Sequence, residues 1–61
     1  MTIGELIQVD GAHLLVVDDD VDLLRLLSMR LTANGYRVTT ADSADAALAR
    51  LAVERPDLVI S

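Results

Sequence analysis

Three consecutive carboxylates, Asp18, Asp19 and Asp20, follow the apolar run Leu14 to Val17 without a break. Asp22 adds a further acid, and a periodic apolar stretch begins beside it. Neighbouring like charges repel, so an acidic cluster at the end of an apolar run calls for a reason. Two are available. A short acidic side chain at the mouth of a helix accepts hydrogen bonds from its free N–H groups. Carboxylates at the C-terminal end of a buried strand also stand where open α/β sheets bind ligands, and can hold a hard cation. One Asp suffices for the cap, and Asp20 is placed for it. Asp18 and Asp19 are then the candidate metal ligands, and Mg2+ is the cation that takes one or two carboxylates and completes its shell with water and phosphate oxygens.

The elements that must position these acids follow from hydrophobic period. His13 to Val17 is a short continuous apolar run with β-branched residues at its end, as in a strand buried on both faces. His13 reads as a surface residue at the strand's start, and no second His accompanies it as a ligand. Apolar residues then recur at Leu23, Leu24, Leu27 and Leu31, with Leu26 widening the stripe and Arg25, Ser28 and Thr32 on the other side. The spacing predicts a helix over 21–33, capped by Asp20 and stopped by Asn34-Gly35. Tyr36 to Thr40 alternates and is rich in β-branched residues, which predicts a second strand. Ser43 caps a second helix over 44–54, with Ala44, Ala47, Leu48, Leu51 and Ala52 as its inner face and Pro56 ending it. Asp57-Leu58-Val59-Ile60 is a third strand. The order β-α-β-α-β with short connections implies parallel strands joined by right-handed crossovers.

Composition sets outer limits. The chain has 61 residues, enough for one small domain. A domain this small buries only about 60% of its unfolded surface. It contains no Cys, which excludes disulfides and thiolate metal sites and fits a reducing compartment. Ten carboxylates stand against five basic residues, all Arg, which disfavours nonspecific binding to nucleic acid or anionic membrane. Tyr36 is the sole aromatic, too little to stack bases. Residues 1–12 lack a basic region and read as a flexible lead-in rather than a secretory signal. No apolar run approaches the ~18 residues of a membrane span, and the expected location is the cytoplasm.

Two other uses of the acids are weighed. Asp18, Asp20 and Asp22 alternate as in an EF-hand loop, but the sixth position is Leu23 rather than Gly and the twelfth is Met29 rather than Glu. The pair Asp18 and Asp20 resembles the strand-Asp-x-Asp motif of haloacid-dehalogenase-like phosphohydrolases, with Asp18 as nucleophile and Asp20 as acid/base. The helix begins at once, leaving no room for the flap segment those enzymes insert.

A second resemblance covers residues 13–61. His13-Leu14-Leu15-Val16-Val17-Asp18-Asp19-Asp20 resembles the first strand and acidic pair of a response-regulator receiver domain. Gly35-Tyr36-Arg37-Val38 is similar to that family's second-strand entry, Ala47-Leu48 with Leu51 to its second helix, and Pro56-Asp57-Leu58-Val59-Ile60-Ser61 to its third strand. Ala44 stands where many members carry Gly. The style of the motifs is similar to receivers of sigma-54-dependent activators. The resemblance implies a flavodoxin-like half-domain with parallel strands in order 2-1-3. It also implies a Mg2+-dependent switch in which a histidine kinase phosphorylates an Asp at the end of the third strand. Asp19 would be the direct metal ligand and Asp18 would act mainly through water. The phosphoacceptor would come directly after Ser61 and is absent here, so the expectation is a truncated receiver that is no enzyme, with weak or no Mg2+ binding of its own. An open third strand and half-covered faces predict pairing with a second copy of the chain, or a swapped dimer, burying Leu58 and Ile60 or Val59.

Overall fold

The structure is a computed structural model that describes residues 11–61. The expected lead-in lies, over residues 1–10, outside the described residues. Strand β1 (His13–Val17), helix α1 (Val21–Ala33), strand β2 (Arg37–Ala41), helix α2 (Ala44–Val53) and strand β3 (Leu58–Ile60) follow one another in the expected order. The three strands form one parallel sheet ordered β2-β1-β3. This is a partial flavodoxin-like, receiver-type sheet with β1 at its centre.

Central placement explains why β1 is apolar throughout. Leu14, Leu15 and Val16 are each 5% exposed or less. The pleat sends Leu15 to one face, where it clusters with Ala41 and Ala47 and meets Val17 and Ala46. Leu14 and Val16 point to the other face, where Leu24 is the buried residue of α1. The two crossover helices thus cover opposite faces.

The helix ends follow local chemistry. Ser43 Oγ accepts the Ala46 N–H at 3.1 Å. At the C-terminus of α1, Gly35 sits at φ 93°, where any side chain would be strained. The Tyr36 N–H donates to the Leu31 carbonyl and the Gly35 N–H to that of Thr32, a Schellman motif. That bond also corrects the start of β2. Tyr36 spends its N–H on the helix, so the ladder begins at Arg37, and it extends to Ala41, whose carbonyl accepts the Asp18 N–H.

Three further expectations are corrected. The inner face of α2 is Ala47 with Ala46 half-buried, whereas Leu48 and Leu51 are exposed, because the small residues seat the helix close to Leu15 and Ala41. On α1, Ser28 is half-buried rather than on the outer side, while Leu23 and Leu26 are exposed. His13 is not a surface residue. It is 9% exposed, because β2 and the end of α2 close over it. Its Nε2 lies 2.7 Å from Thr39 Oγ1, and that hydroxyl donates to Glu54 Oε2 at 3.1 Å. The hydroxyl proton is thereby used, so Nε2 is the donor to Thr39. Asp57 completes the tie: its Oδ2 accepts the His13 N–H at 2.8 Å and its own N–H donates to the His13 carbonyl at 2.7 Å.

Candidate functional site

The three carboxylates stand at the C-terminal end of β1, the end of the sheet opposite the His13 tie. They have separate tasks. Asp20 is the N-cap of α1: its Oδ1 accepts the N–H of Asp22 at 3.0 Å and of Leu23 at 3.1 Å. Its backbone is extended, at φ −90° and ψ 104°, as a cap requires. Asp22 lies in the first turn, where the helix dipole favours an anion.

Asp18 is half-buried and shapes the turn. Its N–H is held by the Ala41 carbonyl at 3.1 Å, and its Oδ1 accepts the Asp20 N–H at 2.9 Å. One oxygen is thus committed to an Asx turn and the other remains. Asp19 is exposed, and its carboxylate makes no hydrogen bond among the described residues. In a loop where both neighbours are occupied, this is the side chain left for an external partner.

Among the described residues no three His, Asp or Glu side chains are grouped to hold a metal ion. The donor set fits half a site. Asp18 and Asp19 supply hard oxygen donors at the mouth of a parallel sheet, as a Mg2+ ion with a largely water and phosphate shell requires. Asp20 does not join them, since the cap uses its carboxylate. The same commitment, with α1 starting at Val21, speaks against the phosphohydrolase reading, which needs Asp20 as a free acid/base. The polar residues missed at sequence level, Thr39, Glu54 and Asp57 around His13, form a structural tie at the other end. Nothing local marks them, because they lie 26, 41 and 44 positions along the chain from His13.

The parallel sheet ordered β2-β1-β3 with its two crossover helices is part of a flavodoxin-like α/β fold. The response regulator receiver domain family matches residues 14–61, and the chain belongs to it. The chain is 58% identical over 50 residues to the transcriptional regulatory protein GlrR of Escherichia coli, a match covering 82% of this chain and 11% of that protein. It is 46% identical over 46 residues to the transcriptional regulatory protein KdpE of Mycobacterium tuberculosis, covering 75% of this chain and 20% of that one. It is 40% identical over 47 residues to the alkaline phosphatase synthesis transcriptional regulatory protein PhoP of Bacillus subtilis, covering 77% and 20%. The chain therefore spans a fifth or less of each of these relatives. No solved structure matches it significantly. No helix among the described residues is long and apolar enough to cross a membrane.

Proposed function

We propose that this chain is the first part of a receiver domain in a transcriptional response regulator of the sigma-54-dependent activator kind. The parent protein accepts a phosphoryl group from a histidine kinase on an Asp directly after Ser61, and the transfer switches an output domain. Asp19 is the direct Mg2+ ligand of that pocket and Asp18 acts through water. Held there, Mg2+ would supply charge screening between acceptor, phosphoryl group and the Asp pair. The chain itself does no chemistry, and the parent works in the cytoplasm.

The observation that supports this reading most is the register of β3 on β1. Leu14 pairs with Leu58 and Val16 with Ile60. A strand continued in that register runs level with Asp18 one residue past Ser61. An acceptor there would stand beside the acidic loop, level with Asp18 and next to the position of Asp19. The family membership and the names of the matched regulators support the same reading.

On its own, the chain pairs with a second copy. Leu58, Val59 and Ile60 are 49%, 45% and 36% exposed, and β3 has a neighbour on one side only among the described residues. Such an edge is a template for another strand.

Titration of the isotopically labelled chain with Mg2+ tests the cation assignment. Amide shifts confined to residues 18–20, and lost in Asp19→Asn, are expected. Shifts spread over all acidic residues, or unchanged by Asp19→Asn, would overturn it.

A further inference from the structure

The edge of the sheet away from β3 carries a different feature. A groove of about 500 Å³ lies at the end of β2, between α1 and α2. Its floor is apolar, with Leu24 and Ala41 both buried. Arg25 lines one wall and Arg50 the other. Neither forms an ion pair among the described residues. In a chain with twice as many carboxylates as arginines, two unpaired guanidinium groups on one groove stand out. Asp42 is the single acid that shares it.

The backbone adds a second, independent observation. The Arg37 N–H donates to the Ala12 carbonyl, and the Ala41 carbonyl accepts from Asp18. Odd-numbered residues of β2 therefore turn their peptide groups toward β1. By the alternation of a strand, Val38 and Thr40 turn theirs outward, along the edge that has no neighbouring strand among the described residues, and Thr40 lines the groove. These groups offer an N–H and a C=O at two-residue spacing. A small anion satisfies donors only. A polypeptide strand satisfies donors and acceptors together, which is how edge strands recruit extended peptides.

We propose that the free edge of β2 is a docking site for an extended acidic peptide segment, which adds as a strand beside Thr40 and presents its carboxylates to Arg25 and Arg50. The ladder supplies orientation. The guanidinium groups supply selection for acid, since each makes charge-assisted, fork-shaped bonds to a carboxylate. The apolar floor receives alternate small aliphatic side chains. The groove adjoins the acidic loop through Val21 and Ala41, but the docking contacts use neither Asp18 nor Asp19, so the site stands whether or not the phosphoacceptor reading holds.

A fluorescein-labelled peptide repeating Val-Val-Glu-Glu, which in an extended strand puts a carboxylate on each face, tests it by anisotropy against the full chain, with a Val-Val-Lys-Lys peptide of equal length as control. Saturable binding is expected for the Glu peptide alone. It should weaken about tenfold or more in the double variant Arg25→Gln, Arg50→Gln, as for loss of charged hydrogen bonds. It should largely survive in Arg25→Lys, Arg50→Lys, which keeps the charge. N-methylation of the peptide's alternate amides should abolish it, and Val38 and Thr40 amides should shift on binding. Both arginines are exposed, so the variants keep the fold, and a matching amide spectrum confirms this for each. Equal binding of the Lys peptide, indifference to the Gln variants, or indifference to N-methylation would overturn the proposal. So would the same amide shifts with inorganic phosphate, an anion site only, or loss of self-association in the Gln variants, which would make the occupant a second copy.

Discussion

Asp20→Ala and Asp19→Asn separate the two duties of the acidic loop. Asp20 accepts two backbone N–H groups of α1 through one oxygen. Removing an N-cap of this kind costs about 1 kcal/mol, within a range of roughly 0.5–2. For a domain near this size, that is a fall in melting temperature of about 8 °C. The cation response should remain, because Asp20 is not a ligand. Asp19→Asn should act in the opposite sense. It removes a carboxylate that no hydrogen bond holds and relieves repulsion with Asp18 and Asp20, so the melting temperature without cation should stay level or rise. The Mg2+ response should vanish. Its size follows from linkage: at a cation concentration equal to the dissociation constant, binding adds about 0.4 kcal/mol, or about 3 °C. The assay is thermal unfolding by circular dichroism, at one matched protein concentration because association shifts the midpoint. A stable Asp20→Ala variant, or one that loses the Mg2+ response while Asp19→Asn keeps it, would refute this division of labour.

Other expectations are more local. Gly35→Ala should destabilise by about 1 kcal/mol, since φ 93° strains any L side chain, and denaturant melts will show whether it does. Thr39→Val removes the hydroxyl between His13 and Glu54 and leaves a buried ring N–H without its partner, at a cost of about 1–3 kcal/mol in the same melts. The lower end applies if Glu54 Oε2, 3.9 Å from His13 Nε2, closes in. Val59→Lys places charge on the open β3 edge and should shift the chain toward monomer in sedimentation velocity, whereas an unchanged distribution would put the contact elsewhere.

The parts legible in the sequence were those carried by short-range chemistry. The strand His13 to Val17, the Asp20 and Ser43 caps, the Gly35 stop and the helix over 21–33 each depend on residues within a few positions of one another. The parallel direction of the strands followed from the alternation of elements, and their order 2-1-3 from the resemblance to receiver domains. Two features were hidden. His13 begins an apolar run and so looked solvated, yet its partners arrive through the parallel register from distant points of the chain. The inner face of α2 was assigned to its leucines by hydropathy, but packing distance to the sheet favours Ala46 and Ala47 and turns Leu48 outward. The acidic loop was legible as a cluster. Its internal division was legible for Asp20 as the cap, whereas the Asx turn of Asp18 and the freedom of Asp19 needed coordinates.

The proposed role of Asp18 and Asp19, the cation side of a phosphoacceptor pocket whose acceptor follows Ser61, is open to direct test. The most direct measurement is to phosphorylate the parent protein with a histidine kinase or a small phosphodonor and map the modified residue by mass spectrometry, with and without Mg2+. An acyl phosphate is expected on the residue after Ser61, formed only with Mg2+ and lost in Asp19→Asn. A phosphoryl group on Asp18, or one formed equally well in Asp19→Asn, would contradict it.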